Sequence, residues 1–304
     1  MCKPTFAAAI CWSKSRHWLR TLWEIADMAY LRLLATLTAL LPALAFAEGE
    51  GKPLWEAGVG VTALSFPSYR GSDHQSRYLL PIPYFIYRGD FLKADRRGIR
   101  GNFFESDRVD FKLSFSGSPP TRSKDAPIRD GMPELRPTIE AGPELDFTLW
   151  RSENRSRSLR LRLPVRTAFT LEGSPRSAGW VFSPDLNLDI GDLPGMPGWN
   201  MGFVVGPYFA TRRQHEYFYG VPAEYATATR PAYDAKGGYS GSAFLFSLSR
   251  RYDKTWVGFF ARYDTLAHAA FADSPLVRRK YSASAGIAVS WVLGESSTRV
   301  GAHD

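Results

Sequence analysis

The chain has 304 residues, 44% of them hydrophobic, at a mean hydropathy of −0.24, a balance that excludes both a polytopic helical membrane protein and a disordered chain. Aromatic residues reach 14%, and 26 Gly with 21 Pro favour many short strands broken by turns. The net charge of +8 raises nucleic acid as a partner, and only its distribution can decide whether that matters.

Residues 28–47 begin with Met28 and the cation Arg32, continue through the apolar run from Leu33 to Leu44, and end in Ala45-Phe46-Ala47. A short cationic start, an apolar stretch of about a dozen residues and an Ala-x-Ala end predict a cleavable signal peptide, with the exported chain starting at Glu48. Residues 1–27 are then an upstream extension, with translation starting at Met28. The exported chain keeps 33 basic and 28 acidic residues, a net charge of +5, with no Lys/Arg-rich block, so nucleic acid is not expected as a partner. Both cysteines, Cys2 and Cys11, are lost with the leader, which excludes disulfides and thiol chemistry for what remains.

From Glu48 onward no 3.6-residue period is sustained, and period-two alternation recurs instead in runs broken by Gly, Pro, Asp and Ser. Strands are predicted near 54–66, 77–88, 90–95, 98–104, 108–117, 135–150, 157–172, 178–192, 198–212, 238–251, 254–267 and 279–292. Along 157–172, Leu159, Leu161, Leu163 and Val165 share one face, and Arg160, Arg162 and Arg166 share the other. In 178–192 the parity reverses, with Trp180, Phe182, Leu186 and Leu188 opposed to Asp185, Asn187 and Asp189. In 135–150, Glu140, Glu144 and Asp146 alternate with Ile139, Leu145 and Phe147. In the last run Tyr281, Ala283, Ala285, Ile287, Val289 and Trp291 alternate with small polar residues. The span from Tyr281 to Trp291, at ~3.3 Å per residue and a tilt of roughly 40°, covers about 25 Å, the apolar height between the aromatic girdles of an outer-membrane barrel.

These features predict an all-β, antiparallel transmembrane β-barrel of about twelve strands. Ten remains open if 90–104 does not span, and merging 90–104 into one strand would give eleven. With a periplasmic N-terminus, twelve strands place the long segments 118–134 and 213–237 outside and Tyr252-Asp253-Lys254 at a periplasmic turn. The lipid of the outer membrane is then the first partner.

The charged faces turn inward. A hairpin centred on Pro175-Arg176 would set Arg166 beside Asp185 and Arg162 beside Asp189, and a turn near Glu153 would set Glu144 beside Arg162 and Glu140 beside Arg166. Arg160, Arg162 and Arg166, flanked by Glu140, Glu144, Asp146, Asp185 and Asp189, thus form a lumenal charge ladder. Either it neutralises itself and fills the lumen, or it lines a pore with a transverse field; pairing is expected in both cases. The segment from Arg212 to Gly237 gathers Tyr217, Phe218, Tyr219, Tyr225, Arg230 and Tyr233, which suit either a contact surface or an inward-folded lid. Arg250 and Arg251 fall at a periplasmic rim.

No catalytic, cofactor or metal site is expected. His74, His215, His268 and His303 all fall in predicted loops or the tail, and adjacency of Ser72, Asp73 and His74 gives no triad geometry. Zinc-ligand spacing and a phosphate-binding glycine loop are absent. Acid pairs such as Glu140 and Glu144 have arginines as their nearer partners, so glycoside hydrolysis is not expected.

Several separated motifs resemble the MipA/OmpV family of Gram-negative outer-membrane proteins, named for the MltA-interacting protein. Pro67-Ser68-Tyr69-Arg70-Gly71-Ser72-Asp73 followed by Pro81-Ile82-Pro83-Tyr84 is similar to its first loop and second strand. Gly131-Met132 leading to Glu140-Ala141-Gly142-Pro143 resembles its central strand. Phe218-Tyr219-Gly220-Val221, then Tyr233 and Gly237-Gly238-Tyr239, resembles its long loop, and Asp273-Ser274-Pro275-Leu276-Val277 the start of its last hairpin. The resemblance implies a scaffold linking a murein lytic transglycosylase to a penicillin-binding protein in peptidoglycan synthesis, without enzymatic activity; other members are described as porin-like or as adhesins. One departure is the polar tail from Gly294 to Asp304, where such barrels commonly end in an aromatic residue.

Overall fold

In the computed structural model of the protein, residues 51–301 are described, apart from 90, 91, 96, 97, 122, 124 and 125, with backbone alone at 92–95, 98–102 and 105. The expected leader, its cleavage after Ala47, the upstream extension and His303 lie outside the described residues.

Period-two alternation becomes twelve antiparallel strands: β1 (Trp55–Pro67), β2 (Gln75–Arg88), β3 (Leu92–Asp95), β4 (Gly98–Glu105), β5 (Val109–Ser118), β6 (Thr138–Arg151), β7 (Arg157–Thr170), β8 in two arms (Ser177–Phe182 and Asp185–Ile190), β9 (Trp199–Ala210), β10 (Gly238–Tyr252), β11 (Thr255–Thr265) and β12 (Tyr281–Glu295). The two arms of β8 both lie between β7 and β9, separated at Ser183-Pro184, where proline interrupts the ladder. Each strand pairs with its sequence neighbours, and β12 pairs back onto β1, so the sheet closes on itself. Closure satisfies the backbone without exposing an edge, which is what crossing a bilayer with strands requires. Gly58 sits at this seam, where a Cβ would lie 1.9 Å from the Trp291 carbonyl oxygen. Among the described residues no helix is long and apolar enough to cross a membrane.

The faces divide as alternation predicts. Leu145, Val165, Trp180, Phe203, Phe244, Phe259 and Ile287 are exposed outward, while Lys112, Asp146, Arg160, Asn187, Asp264, Ser282 and Ser290 are buried inside. Tyr281 and Trp291 stand exposed at opposite ends of β12, and Tyr281 stacks on Tyr263. One end of the barrel carries short turns, the other the long connections 119–137, 211–237 and 266–280, the pattern of periplasmic turns and outer loops. At the turn end Lys52–Pro53 pairs with Arg299–Val300, so the polar tail is tied down beside the start of β1.

The wall is not uniform. The β3–β4 hairpin is short, and among the described residues it meets β2 only at Tyr87↔Ala94 and Arg88↔Lys93. Among the described residues, the part of β2 nearer the loop end pairs with β1 alone. Inward-facing Leu80 is accordingly 42% exposed, although Thr62, its partner across the pair, is 6% exposed. Pro81 and Pro83 share a parity and remove two donors from one edge of β2, which a strand tolerates where no partner follows. The region 90–104 thus supplies two strands to the count of twelve.

Replacing Leu145, at the middle of β6 on the lipid side, by Arg is expected to cost about 2–4 kcal/mol, the penalty for a cation near the bilayer midplane. Urea unfolding of the barrel in lipid vesicles measures it.

Candidate functional site: a charged waist beneath a capped mouth

Long charged side chains from β5–β8 pair between neighbouring strands on the lumenal face. Lys112 donates to Asp146 at 2.6 Å and also faces Asp110 at 3.2 Å; Arg160 bridges Asp146, at 3.4 Å, to Asp189. Asn187 donates to the same Asp189 carboxylate at 2.8 Å, and Arg162 binds Asp185 at 2.7 Å. Signs alternate along this chain, so each cation removed from water has a carboxylate beside it. Toward the turn end Glu56 receives both Arg88, at 2.6 Å, and Arg251. Arg251 therefore turns inward rather than lying along the rim, while Arg250 lies over the ring of Tyr252. Toward the loop end Asp264 holds Arg262 through two bonds of 2.8 Å and faces Arg70 at 3.0 Å.

The residues expected in the ladder all face inward, but their register differs. Asp185 lies opposite Arg162, not Arg166, because the hairpin between β7 and β8 centres on Gly173-Ser174 instead of Pro175-Arg176. Asp189 lies opposite Ser158 and reaches Arg160 diagonally, not Arg162. Arg166 donates to the Ser183 hydroxyl at 3.2 Å. Across the other pair, Asp146 takes the place beside Arg162 that was expected for Glu144, which faces Pro164; Glu140 faces Ala168, not Arg166. The turn there is centred one residue later than Glu153, which slides every pair by two. Lys112, Glu56, Arg262 and Asp264 were not among the expected residues, although their period-two placement on charged faces would have found them.

The opposite wall is lined by Gly202, Ser247, Gly258, Gly286 and Ala288, whose small side chains leave space. Among the described residues the lumen holds chambers of about 530 Å³ at the turn end, about 320 Å³ around Arg160, Arg162 and Asp185, and about 370 Å³ beneath the loops.

Four loops close the mouth. Residues 211–237, expected as an irregular loop, open with helix α1 (Arg212–Tyr219). A run of eight helix-compatible residues between Thr211 and Gly220 carried that signal. Tyr219 stacks on Phe271 with ring centres 3.6 Å apart and donates to the Arg70 carbonyl at 3.0 Å. Around this pair Tyr69, Met132, Leu135, Val221, Leu266 and Leu276 form a buried cluster, with Tyr217, Phe218, Tyr225 and Tyr233 packed against it. Hydrogen bonds tie the loops to one another: Tyr69 to the Leu276 carbonyl at 2.8 Å, Ser274 to that of Tyr219 at 2.7 Å, and Arg230 to those of Ile128 and Asp130 at 2.7 and 2.9 Å. Of the aromatic and cationic residues offered as a contact surface, Tyr219 and Arg230 are buried and serve the lid.

The motif residues converge here. Gly71 (φ +91) accepts from the backbone of Arg278 and Arg279 and donates to the Ser282 hydroxyl at 2.8 Å, and a Cβ on it would meet Leu266 at 2.8 Å. Ser72 accepts from the His74 backbone at 3.1 Å, Asp73 faces Arg278 at 3.6 Å, and Gly220 caps α1. Pro67 ends β1, Gly237 and Gly238 lead into β10, and Ser274-Pro275 enters the last loop; Gly142 and Pro143 lie within β6.

His215 departs from expectation. It was expected to be a solvated loop residue, yet it is 2% exposed on α1, with Nδ1 2.5 Å from the Lys236 carbonyl and Nε2 2.5 Å from the Ser240 hydroxyl. With Nδ1 as donor and Nε2 as acceptor the neutral ring pins α1 to β10, and burial holds its pKa below the ordinary imidazole value, against the raising effect of the Lys236 carbonyl. Burial also pushes the Tyr69 hydroxyl up to about 12. Among the described residues no cluster of three or more potential metal ligands occurs.

A family model described as MltA-interacting protein MipA matches residues 59–293. No curated protein matches the chain. Solved structures similar to it include one described as the NanC porin, with 10% identity over 77% of this chain and all of that one, at a TM-score of 0.38. A bacterial polysaccharide outer membrane secretin has 6% identity over 79% and 99%, at 0.39. The Pseudomonas putida toluene transporter TodX has 9% identity over 80% and 89%, at 0.32.

Asp146→Ala would leave Lys112 with Asp110 alone and Arg160 with Asp189 alone, and is expected to destabilise the barrel by less than the about 3–5 kcal/mol that a fully orphaned buried charge costs, measured by denaturant unfolding. The lid should also loosen in acid. A histidine whose folded pKa is depressed contributes stability that is complete above its unfolded value, near 6.5, and is lost as pH falls through the depressed value. Proteolysis within 211–237 should therefore accelerate at pH 5 over pH 7.5, and His215→Gln should flatten that dependence.

Proposed function

The chain belongs to the MltA-interacting protein MipA family, and from that premise we propose that it serves as a non-enzymatic outer-membrane scaffold. On this reading its periplasmic face holds a murein lytic transglycosylase near a penicillin-binding protein. The observation that carries the reading is the sealed mouth. Four loops and a helix, with a continuous apolar cluster, stand where an open porin would have a vestibule, and charge pairs between neighbouring strands line the waist below. Such a lumen is suited to stiffening a wall rather than to passing solutes. Stiffness in turn suits a barrel whose work is to present a surface.

That surface is at the turn end. Among the described residues it includes the connections 106–108, 152–156, 191–198 and 253–254, together with the paired segments Lys52–Pro53 and Arg299–Val300. Asn154 shapes the 152–156 turn by accepting from the Ser152 and Ser156 hydroxyls, both at 2.8 Å, and Asp192 accepts from Gly198 at 2.7 Å in 191–198. Turns fixed by their own side chains are preorganised for a partner.

Purified barrel in lipid is expected to capture a purified murein lytic transglycosylase and to remain silent in planar bilayers. Arg162→Ala should lower stability without opening a channel. Discrete conductance steps in the wild type together with no capture would replace the scaffold by a pore.

A further inference from the structure

We propose that the turn between the second arm of β8 and β9, residues 191–198, is a preformed apolar knob that docks in an apolar socket, bordered by carboxylates, on a periplasmic protein partner. The inference rests on the scaffold reading and deepens it, for it names the part of the turn end that is held and the chemistry of what holds it. Hairpins at this end need few residues, and the others that are fully described are short and charged: Ser-Asp-Arg at 106–108, Ser-Glu-Asn-Arg-Ser at 152–156 and Asp-Lys at 253–254. Residues 191–198 read Gly-Asp-Leu-Pro-Gly-Met-Pro-Gly. Their one charge, Asp192, accepts from the Gly198 amide at 2.7 Å, while Pro194, Met196 and Pro197 stand exposed.

The turn is closed by its own backbone. Leu193 donates to the Trp199 carbonyl at 2.9 Å, Trp199 to that of Met196 at 3.1 Å, and Met196 to that of Leu193 at 2.9 Å, while Gly191 donates to the Ser156 carbonyl of the neighbouring turn at 2.6 Å. Gly195 and Gly198, both at φ +78, make the two reversals, and Pro194 and Pro197 fix the chain on either side of Gly195-Met196. A knob held in this way loses little conformational entropy on docking, and the Met196 thioether adapts to the apolar surface it meets.

Placement and charge select the occupant. Trp199 shares the outward parity of β9 with Phe203 and, with Trp291 exposed at the same end of β12, marks the level of the periplasmic lipid boundary. Residues 191–198 lie beyond that level, on the water side, where an exposed Met between prolines suits a protein partner rather than lipid. Cations surround the knob. Arg157 lies opposite Ile190 where the turn begins, Arg155 precedes the Ser156 that binds Gly191, and Arg250 packs at the far end, its Nε 3.5 Å from where a Cβ on Gly198 would lie. Among the described residues none of these three arginines forms an ion pair. A socket that matches such a rim carries Asp or Glu at its border.

The test is capture of a purified murein lytic transglycosylase by the barrel in lipid vesicles, followed by interferometry. Met196→Asp is expected to weaken capture about tenfold or more, Met196→Leu to keep it within about twofold, and Arg108→Ser, on the 106–108 turn, to leave it unchanged. Arg155→Glu should slow association, most at low salt, with little change in dissociation. Heat-dependent gel migration checks that each variant is folded, and Met196→Ser, which adds no charge, replaces Met196→Asp if that chain does not fold. A bimane label on Met196→Cys, in a barrel whose residues 48–304 hold no other cysteine, should escape quenching by brominated acyl chains. Strong quenching places the turn in lipid and overturns the proposal. Wild-type capture by folded Met196→Asp also overturns it while leaving the scaffold reading intact, and a wild-type barrel that captures no transglycosylase overturns both.

Discussion

The constraint on which the rest of this structure depends is that a strand in lipid can place charge on one side only. Once the outward face is committed to Leu, Phe, Val and Trp, the Arg, Lys, Asp and Glu at the middle of β5–β8 are forced into a narrow lumen, where an unmatched ion is costly. The solution is a chain of alternating sign running from Asp110 through Lys112, Asp146 and Arg160 to Asp189. Lys112, Asp146 and Arg160 each bridge two partners, so the strands are coupled to one another through their side chains as well as their backbones.

Bulk on one wall is balanced by smallness on the other. The glycines and serines of β9–β12 face the charged strands and leave chambers above and below the waist instead of a continuous channel. The same economy appears at the mouth, where the lid takes its apolar residues from loops rather than from strands. Charged waist and apolar lid meet at Arg70, which contacts Asp264 in the wall and, through its carbonyl, Tyr219 in the lid.

Much of this was legible in the residues. Period two is a direct imprint of lipid on one side and lumen on the other, so strands, faces and count followed from it, including the two short strands near 90–104. Register was not, because it depends on where a hairpin turns. Gly173-Ser174 and Pro175-Arg176 are both good turn residues, and the bulges between Ala168 and Phe169 and between Thr148 and Trp150 leave no mark in composition. The lid was half legible. Its motif residues stood out one by one, but nothing in chain order says that Tyr69 meets Leu276 or that His215 is buried against Ser240. Those contacts depend on closure of the sheet, which brings the ends of the sequence together.

That dependence has a consequence for how the protein comes into being. Tyr69 and Leu276 are 207 positions apart, and Gly71 and Ser282 are 211, so the bonds that seal the mouth join the first hairpin to the last. They cannot form until β12 has docked on β1. Biogenesis therefore passes through an unsealed intermediate in which the ion pairs of β5–β8, all between neighbouring strands, can already have formed while the lid has not.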